Sequence, residues 1–171
     1  ASNIIQNSLL DSQVVTSMQA AKLIDNAAKS LLAVGDTVLA DERLPRLLGQ
    51  AGPDDGDPQA AYHSDLEMLR SVVQSHVDGT SISAIRIYSD AAPIDGDPDG
   101  ELFMDVAAIR HTYWYGIFNS QPIDTLFAPE YYLGGAERTQ LGSLALIQKS
   151  VFAGETNPVT VYVAVYTYSD M

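Results

Sequence analysis

The stretch Val159 to Tyr166, VTVYVAVY, decides the fold. Val159, Val161, Val163 and Val165 alternate with Tyr162, Ala164 and Tyr166, and a period of two sends the two sets to opposite faces of a β-strand. One face is aliphatic and the other rich in tyrosine. The segment Ile82 to Tyr88 repeats the pattern, with Ile85 and Ile87 alternating with Ala84, Arg86 and Tyr88. Such strands need cover on both sides, so helices are expected against the aliphatic face and something more amphipathic against the tyrosines.

Working outward, the remaining strands are read at Glu101 to Met104, Thr125 to Leu133 and Ser143 to Phe152, with a helical crossover, Val106 to Phe118, carrying Trp114-Tyr115. Upstream of Thr80 the period is helical. From Asn3 to Val34 there is neither Gly nor Pro, and Leu10, Val14, Met18, Ala21, Ile24, Ala28 and Leu31 recur at helical spacing. This predicts one helix of roughly 45–50 Å at about 1.5 Å per residue. Gly35 is its expected stop, and Asp36 is expected to cap a short second helix that Pro45 interrupts and Gly49 ends. After the acidic loop Ala51 to Pro58, Asp57-Pro58 opens a third helix with the stripe Tyr62, Leu66, Leu69, Val73 and Val77, stopped by Asp78-Gly79.

The fold class is therefore α+β: a long N-terminal helix and shorter helices on a five-stranded, mostly antiparallel sheet. One domain is expected over 1–171, helical over 3–79 and a sheet with its crossover helix over 80–168. The crossover and the loop at Tyr131-Tyr132 are the expected cover for the tyrosine face, with a pocket lined by amphipathic rings between them.

Composition narrows the function. The 171 residues include 22 Asp and Glu against 9 Lys and Arg, a net charge of −13 that repels a phosphate backbone, so no nucleic-acid partner is expected. With no cysteine there is no disulfide framework, thiol nucleophile or thiolate metal site. His63, His76 and His111 are scattered without zinc spacing, and neither a Gly-x-Ser-x-Gly elbow nor a phosphate-cradling loop occurs, so the domain is not expected to be an enzyme or to carry a cofactor. The run Asp95-Gly-Asp97-Pro-Asp99-Gly100 fits the opening of a calcium loop, but Val106 stands where the closing Glu belongs. A solvated acidic turn is the expected account, with a calcium site at Asp95, Asp97 and Asp99 as the alternative.

The order of these parts resembles a Cache domain, the PAS-like extracellular sensor module of bacterial histidine kinases and chemoreceptors. The long helix, the strand Ile82 to Tyr88, Trp114-Tyr115 in the crossover, and the runs Leu144 to Phe152 and Val159 to Tyr166 carry the resemblance. It implies a small-molecule-sensing domain of a membrane-bound sensor histidine kinase on the extracellular side of a bacterial cell membrane, cut from between two membrane spans and signalling through its first helix. A homodimer along that helix is a further expectation. A chemoreceptor ligand-binding domain, or a secreted calcium-binding or adhesion module, is the alternative. In amino-acid-binding members an Arg, a Trp and a Tyr lie close together in the crossover, which points here to Arg110, Trp114 and Tyr115. The Arg stands four residues before the Trp rather than two, which leaves an amino acid, an organic acid or a sugar as the ligand. Arg86, Tyr88 and Tyr131 complete the expected contacts, because Arg86 and Tyr88 share a face of their strand and Tyr131 lies in the covering loop.

Overall fold

A computed structural model describes residues 25–49, 57–77, 81–91, 94, 96–97, 100–153 and 157–168. The predicted helical run from Asn3 to residue 24, most of the acidic loop, and Asp95 and Asp99 lie outside the described residues. Helices come first: α1 over 25–39, α2 over Arg43–Leu47 and α3 over Pro58–Val77. The strands are β1 (Ile82–Ser89), β2 (Phe103–Asp105), β3 (Thr125–Ala128), β4 (Leu144–Phe152) and β5 (Val159–Thr167), in the spatial order β2-β1-β5-β4-β3. All neighbours are antiparallel except β1 and β2, which run parallel from Ile87↔Phe103 to Ser89↔Asp105. Between β2 and β3 lie a 3-10 turn, Val106–Ala108, and α4, Tyr113–Ser120. A second 3-10 turn, Glu130–Tyr132, and α5, Gly135–Gln140, lie between β3 and β4.

The last strand in sequence is the middle strand in space, and its two faces seed two cores. Its valines join Ile85, Ile87 and Leu146 against Leu31 and Val38 of α1, Leu44 and Leu47 of α2, and Leu66, Leu69 and Val73 of α3. Its tyrosines join Tyr88 and Ile147 against Trp114 and Phe118 of α4. The result is helices on both faces of a mixed, mostly antiparallel sheet, as the alternation in β5 requires.

Several local readings are corrected. Gly35 does not stop α1; the helix runs through it, because Gly35 is where α1 comes closest to the sheet. A Cβ built there would collide with Gln148 Oε1 on β4, and Asp36, the predicted cap, accepts a hydrogen bond from Gln148 Nε2 at 2.6 Å. Pro45 sits inside α2 rather than interrupting it, since the first-turn N–H that proline lacks has no intrahelical partner to lose. At α3 Asp57 does precede Pro58, and its carboxylate accepts from Gln59 N at 3.0 Å.

The crossover, read as one helix from Val106 to Phe118, is broken in two by local capping. Asp105 accepts from Ala107 N, Thr112 accepts from Tyr115 N and restarts the chain as α4, and Arg110 falls in the turn between. The strand read through Leu133 ends at Ala128, before Pro129. Gly134-Gly135, read as a turn, opens α5. Gly134 is its N-cap, and a Cβ there would meet His111 Nε2 at 2.8 Å, so the exposed His111 ring would have to shift for any larger residue at this cap.

Gly35 yields a sign test. Helix propensity alone predicts that Gly35→Ala stabilises by about 1 kcal/mol. The contact with Gln148 predicts instead a loss of about 1–3 kcal/mol in urea unfolding, from overpacking. Adding Gln148→Ala to the variant is expected to recover most of that loss.

Candidate functional site

The tyrosine face is filled at its centre. Trp114 and Tyr166 are wholly buried and Tyr88 is 1% exposed. What holds them is Glu137 of α5, itself 5% exposed. Its carboxylate accepts from Gly134 N at 2.8 Å, from Trp114 Nε1 at 3.2 Å to each oxygen, and from the Tyr166 hydroxyl at 2.5 Å. Because Tyr166 gives its one proton to Glu137, the 2.8 Å contact with Tyr88 must run from the Tyr88 hydroxyl to the Tyr166 oxygen. Burial pushes both phenols above the usual tyrosine range. Tyr88 and Trp114, both expected at a ligand, therefore belong to a closed polar network and present no open surface.

The opening lies at the margin of this face. A cleft of about 170 Å³ is lined by Asp90, Val106, Arg110, Tyr115, Asn119, Lys149, Thr160 and Tyr162. Each wall has a local cause. Tyr115 and Asn119 are four apart on α4 and share a face, with Asn119 Nδ2 donating to Tyr115 O at 2.9 Å. Lys149 and Tyr162 are direct cross-strand partners, and Lys149 Nζ lies 5.9 Å from the Tyr162 ring centre. Tyr115 and Tyr162 meet edge to face at 5.7 Å. Asp90, just beyond β1, accepts from Thr160 N at 3.2 Å. Burial, then the neighbouring Tyr115 and Asp90, push the Tyr162 phenol up to about 12, so it stays protonated at any physiological pH.

Charge marks this cleft out. Among the described residues Lys29, Arg43, Arg46 and Arg70 each have a carboxylate partner within 4 Å, whereas Arg86, Arg110, Arg138 and Lys149 have none, and two of these four, Arg110 and Lys149, line this one cleft. Two cations without an ion pair, against the single carboxylate of Asp90, give this cleft a local positive excess in a chain of net charge −13.

Comparison with protein-family models, with curated proteins and with solved structures finds no match for this chain. The site therefore has to be read from its own residues.

Of the six residues singled out from the sequence, the structure brings Arg110 and Tyr115 together in the cleft. Arg86 turns to the edge of β1, where its Nη1 donates to Ile85 O at 2.9 Å. Tyr131 is 74% exposed and packs edge-on to Tyr132 at 4.9 Å. Lys149 was missed, although its signal was in the sequence: it shares strand parity with Ala145 and Ile147, so it places a charge on a face that is otherwise apolar. Asp97 is 7% exposed and committed to the protein, its carboxylate accepting from Arg70 Nη2 at 2.7 Å and from Phe103 N at 2.7 Å. No group of three candidate metal ligands occurs among the described residues.

Glu137→Gln would swap an acceptor oxygen for an amine facing donors. We expect a loss of about 2–4 kcal/mol in urea unfolding, since buried donors left unpaired cost about 1–3 kcal/mol each. Trp114, the sole tryptophan, would report the disturbance by a shift of its fluorescence emission. Tyr88→Phe, which removes only the outermost donor, is expected to cost about 1 kcal/mol.

Proposed function

We propose that the domain is a Cache-like sensor module that binds a small organic carboxylate in the cleft between Arg110 and Lys149. The observation that carries this reading is the pair of cations without ion-pair partners in an acidic protein. An Arg fork and a Lys point charge suit a carboxylate, while Asn119 and the Tyr162 hydroxyl supply neutral polar contacts. Asp90, on the same wall, favours a ligand that also carries a donor such as an ammonium or hydroxyl group. The size, below the roughly 300–1,000 Å³ of sites for drug-sized molecules, favours a ligand of few atoms.

The architecture offers a route outward from this site. Lys149 lines the cleft, and its neighbour Gln148, facing the other side of β4, bonds to Asp36 beside the Gly35 contact on α1. A ligand that moves β4 at Lys149 would move the strand against α1. It would bias signalling only by binding one arrangement more tightly than the other. In our reading α1 leads toward a membrane span, with the domain on the extracellular side of a bacterial membrane and a histidine kinase as its output. No helix of the described residues is itself long and apolar enough to cross a membrane.

A panel of small carboxylates screened by thermal shift, followed by calorimetry, tests the proposal. We expect Arg110→Ala and Lys149→Ala each to weaken the best ligand by about tenfold or more, equivalent to about 1.4 kcal/mol. The melting temperature of the free domain should change little. Stabilisation that survives both substitutions would place the ligand elsewhere.

A further inference from the structure

A second cleft, of about 510 Å³, is lined by α3, β1 and the end of α5, and shares no lining residue with the one at Arg110. Gln74 and Val77 come from α3, and Gln140 is the last residue of α5. The floor is closed, because Val73, Ala84, Ile85 and Leu102 are all buried, so an occupant would meet side chains rather than the backbone of the strand. Gln74 and Gln140 are exposed, and Val77 and Arg86 are half-buried. The volume falls within the roughly 300–1,000 Å³ of sites for drug-sized molecules, which the smaller cleft does not reach.

The two cations of the lining differ in standing. Arg70 is already answered, with Asp97 2.7 Å from Nη2 and Glu67 3.4 Å from Nη1. Arg86 has no carboxylate within 4 Å among the described residues. Its Nη1 donates to Ile85 O at 2.9 Å, and a guanidinium has five N–H donors, so the rest of the fork is left for an incoming acceptor. Glu101 is the one carboxylate of the lining, and it is exposed.

One unpaired guanidinium, an apolar floor and one exposed carboxylate together describe the complement of a singly charged, amphipathic anion. We propose that this cleft is a second ligand site, for a monocarboxylate with an apolar body larger than the smaller cleft admits. Its carboxylate meets Arg86 in a charge-assisted hydrogen bond, and its body lies over Val77 and the buried floor of Val73 and Leu102. The amides of Gln74 and Gln140 offer neutral contacts to any polar substituent. Glu101 repels a second negative group, so the site selects against dicarboxylates as well as for monocarboxylates. The smaller cleft, with two unpaired cations, has the opposite preference in charge and in size.

The probe is phenylbutyrate, titrated at neutral pH into the ¹⁵N-labelled domain, with phenylbutyramide as its neutral counterpart and glutarate as a dicarboxylate. We expect phenylbutyrate to shift the amide signals of Val77, Arg86 and Gln140, and the neutral amide to bind the unaltered domain about tenfold or more weakly. Arg86→Gln should weaken phenylbutyrate by a similar factor, with Arg86→Lys intermediate and Arg110→Ala without effect on these signals. Glutarate should leave them unmoved until Glu101→Gln removes the repelling charge. No shift at Val77 and Gln140 with phenylbutyrate would overturn the proposal, as would equal binding of acid and amide, which would mark adventitious apolar contact. So would shifts lost on Arg110→Ala and kept on Arg86→Gln, or glutarate binding here as well as phenylbutyrate with Glu101 in place.

Discussion

Glu137 is a buried carboxylate with no cation within 4 Å among the described residues, and much of the far side of the sheet is arranged to make that tolerable. A buried charge left short of donors costs several kcal/mol, so its neighbours must hold their places. Gly134 supplies a backbone N–H, α4 supplies the indole of Trp114, and β5 supplies the Tyr166 hydroxyl, itself backed by Tyr88 of β1. Three segments, α4, α5 and β5, meet at one carboxylate, with β1 one hydrogen bond further out. The network fixes α4 on the sheet, and α4 in turn carries Tyr115 and Asn119 to the cleft.

The consequence is a division of labour among aromatic rings of similar composition. Trp114, Tyr88 and Tyr166 spend their polar atoms on one another and on Glu137. Tyr162, although 2% exposed, keeps its ring at the cleft, between Trp114 and Phe118 on one side and Tyr115 and Lys149 on the other. An aromatic-rich face is thus mostly core, and the open site sits where that face gives way to Arg110, Lys149 and Asp90.

The large periodic features were legible in the sequence because each repeats over many residues. The alternation in β1 and β5 and the stripe of α3 agree with what the structure buries. What escaped was decided by single contacts between distant residues. Nothing local distinguishes Gly35 as a helix interior from Gly35 as a helix end until Gln148 is seen against it. Six residues of α5 are too few for a period, and their organising residue, Glu137, finds its partners on α4 and β5. The break before Thr112 is a capping choice that apolar spacing does not record. At the site, Arg110 and Tyr115 stood out by chemistry. Trp114 and Tyr88 did so equally, and only packing separates the two pairs.

The placement of β5 also bears on how the chain reaches this structure. The pair β4–β5 closes over a short loop and β3–β4 over a connection that carries α5, but β1 joins β5 between residues as far apart as Ile82 and Thr167. Contacts of such long range are entropically expensive to close and slow to form. During synthesis β1 emerges with one flank paired to nothing, and its main neighbour is the last strand of the sheet to be made. Until then its valine-and-isoleucine-rich partner surface lies open, which makes the newly made chain, rather than the finished domain, the form most exposed to aggregation.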